Sequence, residues 1–286
     1  MDLTALGGAT LVALTSTMFF LLVIKAWSAF AQSSSGSRFP QSIMLEAAQR
    51  YRDELAKRGR EQSIYLASGL MFAVVFSIAY LLRPDELFVD IPRWQHIIVL
   101  VVLGVATGFL AYRLTTIMIE RRKLFFIRDA NMATGHSLQK LTANRNRVFH
   151  DVQCGVGTID SVIVGLHGIY TVSVIARKPG KDNTARLKGD HLMFAGQDAI
   201  SVKRSGAKSA QLSKEIKKVT AHKLRVRSVI AIPGWEIESQ ASGDYLVVNE
   251  RNIAMLTGWR DQKDYLLDED VEAIHSMLTE RCTRFA

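Results

Sequence analysis

The sequence predicts an α-helical region with three membrane spans, followed by a cytosolic α/β domain. Three apolar runs, at about 3–24, 64–82 and 97–114, approach the ~20 residues that a helix needs to cross a bilayer. Further along the chain, short strand-like runs alternate with segments of helical periodicity, which is typical of an α/β domain. We therefore divide the chain into a membrane region, 1–128, and a soluble domain, 129–286.

The first and third runs each allow more than one interpretation. The first has an Ala-x-Ala-like "SAFAQ" after it, but "MDLTAL" lacks the basic residues of a signal peptide, so we interpret it as an uncleaved anchor. The third is a span only if Arg113 extends its side chain to the interface. The alternative for the third run is a buried helix of a soluble core.

The distribution of lysine and arginine predicts the orientation, because short cytosolic loops carry an excess of these residues. The second loop, "RPDELFVDIPRWQH", has three acids beside its two arginines, whereas the segments before the second span and after the third are basic. We expect a multi-pass protein of the inner (cytoplasmic) membrane, with residues after 120 in the cytosol and the second loop outside. Cys154 and Cys282 would then lie in a reducing compartment.

Two features of the membrane region suggest packing partners. Residues of about 42–61 have apolar positions at helical spacing, which predicts a cytosolic amphipathic helix that packs on protein or lies on anionic lipid. Gly104 and Gly108 form a small-xxx-small pair in the third span. Packing within the chain and formation of a homo-oligomer both explain that pair.

The soluble domain is predicted to begin with a short helix at about 135–144. The predicted strands lie near Val148–Asp151, Thr158–Val164, Ile169–Ala176, His191–Phe194, Ala199–Lys203, Val226–Ile232 and Tyr245–Val248. Helices are predicted at about Ala207–Leu224, Glu250–Leu256 and Asp268–Glu280, and Trp235 is predicted to anchor the core.

The segment "GTIDSVIVGLHGIYTVSVIAR", 157–177, predicts a hairpin whose second strand places Ser173 and Ile175 on one face. A metal-dependent phosphodiesterase needs two carboxylates to hold Mg²⁺ and a cation beside them. An acid on one strand, followed by acid-x-lysine on the next, brings these groups into one cleft. Here Asp160 supplies the first acid, but a serine and an isoleucine stand in place of the other two groups.

This hairpin and the segments that follow it resemble the nuclease-related domain (NERD) family. The resemblance covers about 130–283 and rests on an ordered set: "GTIDSVIVGLHGIYTVSVIARKPG", "AQLSKEIKK", "VIAIPGWEIE", "YLVVNERNIAML" and "LLDEDVEAIHSML". It implies a restriction-endonuclease-like fold and a metal-dependent nuclease ancestry.

The resemblance also implies which residues occupy the family's catalytic positions. The metal aspartate falls on Asp160, the helix glutamine on Gln211, and Glu-x-Lys on Ser173 to Ile175. A single aspartate holds Mg²⁺ weakly, so we expect no catalysis and no cofactor. Asp160 would bind Mg²⁺ only if nuclease activity persists. Migrated groups, with Arg177 as the cation and Glu215 as the carboxylate, are the alternative.

A net charge of +9 predicts an anionic partner, either nucleic acid or the inner leaflet. The segment 202–227 is rich in lysine and arginine, which bind phosphates without sequence preference. A solvated helix face or contact with lipid headgroups explains this segment nearly as well. The predicted nucleic-acid-binding residues are Arg177, Lys178, Lys203, Arg204, Lys208, Lys214, Lys217 and Lys218.

Three functions follow from these observations. The first is a membrane-anchored, catalytically inactive nuclease-like protein that binds DNA or a DNA-handling partner, as in DNA transfer, uptake or defence machinery. The second is a structural subunit that binds other subunits of a membrane complex. The third is a Mg²⁺-dependent nuclease with migrated ligands.

Overall fold

The structure, a computed structural model, describes most of the chain. The described residues are 3–34, 43–81, 93–142, 146–180, 182–220, 224–239, 241–242, 245–259 and 265–284. Two compact units emerge: a helical unit, 1–37 with 54–123, and an α/β unit, 38–53 with 124–286.

The helical unit is built on α1 (Leu3–Ser34), α2 (Gln49–Leu81) and α3 (Arg93–Gln139). Each contains a stretch long and apolar enough to cross a membrane, which confirms the prediction of three such helices. Large apolar side chains such as Phe19, Leu70 and Val105 point away from the protein, as expected for helices surrounded by lipid. The predicted outward loop falls largely on residues 82–92, outside the described residues.

Gly104 and Gly108 have no close neighbour within the described part of the chain. A Cβ atom built on either glycine meets no atom within 4 Å. Packing against another described helix therefore does not explain this small-xxx-small pair, and its role in an oligomer stays a prediction.

The predicted amphipathic helix begins later than residue 42. Residues Ile43–Met44 form a short strand, β1, which pairs antiparallel with β12 (Thr283–Arg284) at the end of the chain. The helix α2 then begins at Gln49 and continues without interruption into the second apolar run. Segment 38–53 thus belongs to the α/β unit because its backbone bonds to that unit's last strand.

The main sheet has six strands. It contains β2 (Arg147–Cys154), β3 (Gly157–Gly165), β4 (Gly168–Val174), β8 (Val226–Ala231), β10 (Ala241–Ser242) and β11 (Tyr245–Val248), in the order β10-β11-β8-β4-β3-β2. Strands β2, β3 and β4 form an antiparallel meander, and β8 lies parallel to β4. These strands confirm the predicted α/β character and the hairpin at 157–177.

A second sheet has four strands. Three of them lie between β4 and β8 in the sequence, and the fourth follows β8. The sheet has the order β7-β6-β5-β9 and consists of β5 (Thr184–Lys188), β6 (His191–Phe194), β7 (Gln197–Ser201) and β9 (Glu236–Ser239). Strands β5 and β9 were not predicted. Trp235 is 1% exposed and packs edge-on against Phe194, which confirms its role as a core anchor.

Helices cover both faces of the main sheet. The apolar residues of α4 (Lys203–Thr220) and α5 (Asp268–Cys282) pack with Val162 and Ile169 on one face. The end of α3 and a 3-10 helix, Ile253–Thr257, pack on the other. The helix predicted at 135–144 is not a separate element. It is the last part of α3, which runs without a break from Arg93 to Gln139.

The predicted topology can be tested with thiols. Burial raises the pKa of Cys282 to about 12, which suppresses its reaction with maleimide, and Cys154 is the more accessible of the two thiols. A membrane-impermeant maleimide should label Cys154 only after intact cells are permeabilised, whereas a chain with Asp85→Cys should be labelled without permeabilisation. Labelling of the wild-type chain in intact cells would contradict the cytosolic assignment.

Candidate functional site

The register of the β2–β3 hairpin brings two aspartates together. His150 pairs with Ser161 and Val152 pairs with Ile159, so Asp151 lies opposite Asp160. Both carboxylates are buried, with exposed fractions of 3% and 8%. Asp151 adopts a φ of 51°, which is uncommon for a residue other than glycine.

The next strand completes this arrangement on the other side of Asp160. The β3–β4 register, in which Ser161 pairs with Val172, places Ser173 opposite Asp160. The Oδ2 atom of Asp160 accepts a hydrogen bond from the Val174 backbone N–H at 2.9 Å. The Ser173 hydroxyl is buried and has no hydrogen-bond partner in the described part of the chain.

Ile175 is half-buried and packs against the core. Its backbone N–H donates to the Ala231 carbonyl at 2.9 Å. Its side chain packs against the apolar cluster that includes Trp235 and Ile232. An apolar residue that packs here supplies no cation to the Asp160 carboxylate.

A guanidinium from outside the predicted site supplies the missing positive charge. Arg50, the second residue of α2, donates from Nη2 to Asp160 Oδ1 at 3.0 Å, and its Nε lies 3.9 Å from Asp151 Oδ1. Burial lowers the pKa of Arg50, but Tyr51, Asp160 and Asp151 together raise it above its ordinary value. Arg50 therefore stays charged and neutralises the paired carboxylates.

Asp151 has a second role at the start of α2. Its Oδ2 accepts a hydrogen bond from the Arg50 backbone N–H at 2.9 Å, and Gln49 contributes another backbone bond. The first N–H groups of a helix lack partners within the helix, so a carboxylate at this end stabilises it. Burial raises the pKa of Asp151, and these donors only partly offset that rise.

Tyr51 and Lys208 complete the cluster. The Tyr51 hydroxyl accepts a hydrogen bond from Arg50 Nη2 at 2.6 Å, and the Arg50 guanidinium lies over the Tyr51 ring, 4.5 Å from its centroid. Lys208, on α4, donates from Nζ to the Thr158 carbonyl at 2.6 Å. Burial lowers the pKa of Lys208, and attraction to Asp160 opposes that shift. We call Arg50, Tyr51, Asp151, Asp160 and Lys208 the Asp160 cluster.

The other predicted active-site residues have different partners. Gln211 donates to Glu215 Oε1 at 2.8 Å. Glu215 also accepts from the Gly155 backbone N–H at 3.2 Å and forms an ion pair with Arg281. Together these bonds join α4 to α5 and to the β2–β3 turn, so Glu215 is engaged away from Asp160.

The alternative cation, Arg177, is also engaged elsewhere. Its guanidinium donates to the Asp198 carbonyl and lies over the Phe194 ring, 4.7 Å from the centroid. It therefore contacts the second sheet. Lys178, which follows it, is exposed.

Helix α4 separates its buried and charged residues onto opposite faces. The buried residues recur every three or four positions and are Ser205, Ser209, Leu212, Ile216 and Thr220. The exposed basic residues lie opposite that stripe at 100° per residue, and they are Lys203, Arg204, Lys214, Lys217 and Lys218. We call these five residues the α4 basic face. Lys208 lies outside it because its ammonium points to Thr158.

Arg50 and Asp151 were not among the predicted site residues. Arg50 is 110 positions from Asp160, and no local pattern links the two. Asp151 had a usable signal, because a two-residue turn at Gly155 and Val156 fixes the register that sets it opposite Asp160.

The Asp160 cluster does not fit the magnesium that a nuclease ancestry implies. One Asp160 oxygen accepts from Arg50 and the other from Val174. Among the described residues, no group of three or more His, Cys, Asp or Glu side chains is placed to hold a metal ion. A guanidinium neutralises charge, but its high pKa prevents it from accepting a proton from water. The two carboxylates of the cluster are thus balanced by cations of the chain itself, Arg50 and Lys208.

In comparisons with protein-family models, with curated proteins and with solved structures, nothing matches this chain. Its resemblance to nuclease-related domains remains a prediction from the sequence.

Replacing Arg50 should destabilise the α/β unit, because Asp151 and Asp160 would remain buried without their cation. We expect Arg50→Ala to lower the free energy of unfolding by about 1–3 kcal/mol, a range reduced for the partial exposure of the guanidinium. Thermal unfolding of the full chain in detergent measures the loss, and hydrogen exchange should assign it to β2 and β3.

The matched control is Arg52→Ala. Arg52 pairs with Glu46, whose side chain is 68% exposed, so its removal should change stability by no more than roughly 0.5 kcal/mol. Equal losses in the two variants would show that Arg50 has no special role.

Proposed function

We propose that this protein is a membrane-anchored, nuclease-like protein that binds nucleic acid at the cytosolic face and does not cut it. Membership of the nuclease-related domain family is part of the proposal, as is the inner-membrane location. The α4 basic face carries the binding function. A role in DNA transfer, uptake or defence rests on analogy with the fold class.

The arrangement of the hairpin supports the nuclease-like ancestry. In the implied family pattern, the metal aspartate lies on one strand and Glu-x-Lys on the next. Asp160 accepts a hydrogen bond from Val174, in the middle of the three residues that stand at the Glu-x-Lys positions. This neighbouring position of the two strands supports the family pattern, although a serine and an isoleucine stand where that pattern has its glutamate and lysine.

The Asp160 cluster supports the loss of cleavage. Hydrolysis of a phosphodiester by this type of site needs carboxylates that bind a metal ion, which then activates water. Here Arg50 and Val174 donate hydrogen bonds to the Asp160 carboxylate, Ser173 adds no charge, and Ile175 packs against the core. Each of these features removes a different requirement of the reaction.

The separation of charge on α4 supports binding. Its five exposed basic residues project from one side of a helix whose other side is fixed to the sheet. A rigid row of cations neutralises successive phosphates and releases condensed counterions, which gives affinity without sequence preference. Such binding does not require a competent active site.

The salt dependence of DNA binding tests this proposal. Full chain in nanodiscs of zwitterionic lipid is titrated with a fluorescent duplex at several salt concentrations. Changing Lys214, Lys217 and Lys218 together to Ala should weaken binding and reduce the slope of log K against log salt. The expected reduction is about 0.9 for each phosphate that is no longer neutralised, or roughly 2–3 in total.

A control variant removes the same charge from another exposed part of the α/β unit, with Arg186, Lys188 and Arg251 changed to Ala. This variant should retain most of the slope of log K against log salt. A reduction equal to that of the α4 variant would mean that binding depends on net charge alone. No affinity at low salt would favour the structural subunit. Mg²⁺-dependent cleavage that Asp160→Ala abolishes would favour the nuclease with migrated ligands.

A further inference from the structure

The helical unit contains an apolar cleft between its three helices. Val23, Ile24 and Trp27 of α1 line one side, and Ile64 of α2 lines the other. Its volume of about 630 Å³ lies within the range of roughly 300–1,000 Å³ that small-molecule sites occupy. A site of this size is large enough for part of a lipid.

Two arginines make this cleft different from a purely apolar groove. Arg60 of α2 and Arg121 of α3 both line it, next to the apolar residues. Arg60 is exposed, and the Arg121 guanidinium donates to the Gln62 side chain, which holds it at this position. The cleft is therefore lined by apolar side chains and by two arginines.

The position of the cleft along the helices agrees with a membrane interface. Trp27 is the last residue of the first candidate span, and tryptophan is enriched where the hydrocarbon core meets the headgroups. Arg60 and Arg121 belong to the basic segments from which the cytosolic side was predicted. The apolar residues would then lie at acyl-chain depth and the arginines at headgroup depth.

We propose that this cleft binds an anionic phospholipid of the cytosolic leaflet. Arg60 and Arg121 hold the headgroup phosphate, since a planar guanidinium donates two parallel hydrogen bonds to phosphate oxygens. Val23, Ile24 and Ile64 contact an acyl chain. Basic pockets between transmembrane helices on the cytosolic side bind anionic headgroups in this way.

Charge complementarity selects this occupant. A zwitterionic lipid fills the apolar part equally well, but its own cation opposes the two guanidinium groups. A free phosphate pairs with the arginines and leaves the apolar side empty. An anionic phospholipid satisfies both parts of the cleft. The inference is independent of DNA binding, because the α4 basic face lies in the other unit.

Native mass spectrometry of the full chain tests the proposal. The protein is delipidated in detergent and titrated with phosphatidylglycerol or with phosphatidylcholine of the same acyl chains. We expect the wild-type chain to retain phosphatidylglycerol about ten-fold more strongly, and the double variant Arg60→Ala, Arg121→Ala to lose that preference. The control variant, Arg122→Ala with Lys123→Ala, removes the same charge from adjacent residues that do not line the cleft. It should keep the preference for phosphatidylglycerol.

Two further variants sharpen the comparison. Arg60→Lys with Arg121→Lys preserves charge and folding but loses the bidentate geometry, so the preference should fall only in part. Ile24→Trp narrows the apolar side and should weaken retention of both lipids. Equal retention of the two lipids by the wild-type chain would overturn the proposal. So would displacement of phosphatidylglycerol by inorganic phosphate alone, or an equal loss in the Arg122 and Lys123 control.

Discussion

The α/β unit depends on the ion pair between Arg50 and the buried aspartates of the β2–β3 hairpin. Two carboxylates on neighbouring strands, shielded from water, cannot both remain charged without a cation. The chain itself supplies that cation, at 3.0 Å from Asp160. The hydrogen bond from the Arg50 backbone N–H to Asp151, together with the pairing of β1 with β12, joins segment 38–53 to this unit.

The α/β unit contains two groups of charges with different surroundings. The charges near Asp160 are balanced internally: Arg50 bonds the carboxylate directly, and Lys208, half-buried nearby, is attracted to it. The charges on the α4 basic face have no such constraint and project outward. A nucleic acid bound as proposed would meet the exposed cations of the helix, while hydrogen bonds within the chain occupy both Asp160 oxygens. The proposed absence of cleavage and the proposed binding are compatible, because the Asp160 cluster and the α4 basic face involve different faces of α4.

Much of the fold could be predicted from the sequence, because hydrophobic period and turn residues act locally. The apolar runs indicate the three long helices. Alternating side chains on both sides of a turn that ends at Gly168 indicate the β3–β4 hairpin. Strands β5 and β9 were not predicted, since an alternation as short as that of Thr184–Lys188, with only Ala185 and Leu187 buried, does not identify a strand in the sequence. At the site, Asp160 and its neighbour Ser173 were identified, but Arg50 was not. Its position depends on tertiary contact between distant segments, and residue spacing contains no information about that contact.

Arg50 and Val174 donate to the two oxygens of Asp160, so we expect a metal ion not to bind there, and Mn²⁺ binding measures this. Electron paramagnetic resonance of the full chain at millimolar Mn²⁺ should show no bound ion that depends on Asp160, so that wild type and Asp160→Asn give the same spectrum. Arg50→Ala removes the guanidinium from both aspartates and should gain a bound Mn²⁺ that Asp160→Asn removes. A Mn²⁺ site in the wild-type chain that disappears in Asp160→Asn would show that Asp160 binds metal in the presence of Arg50.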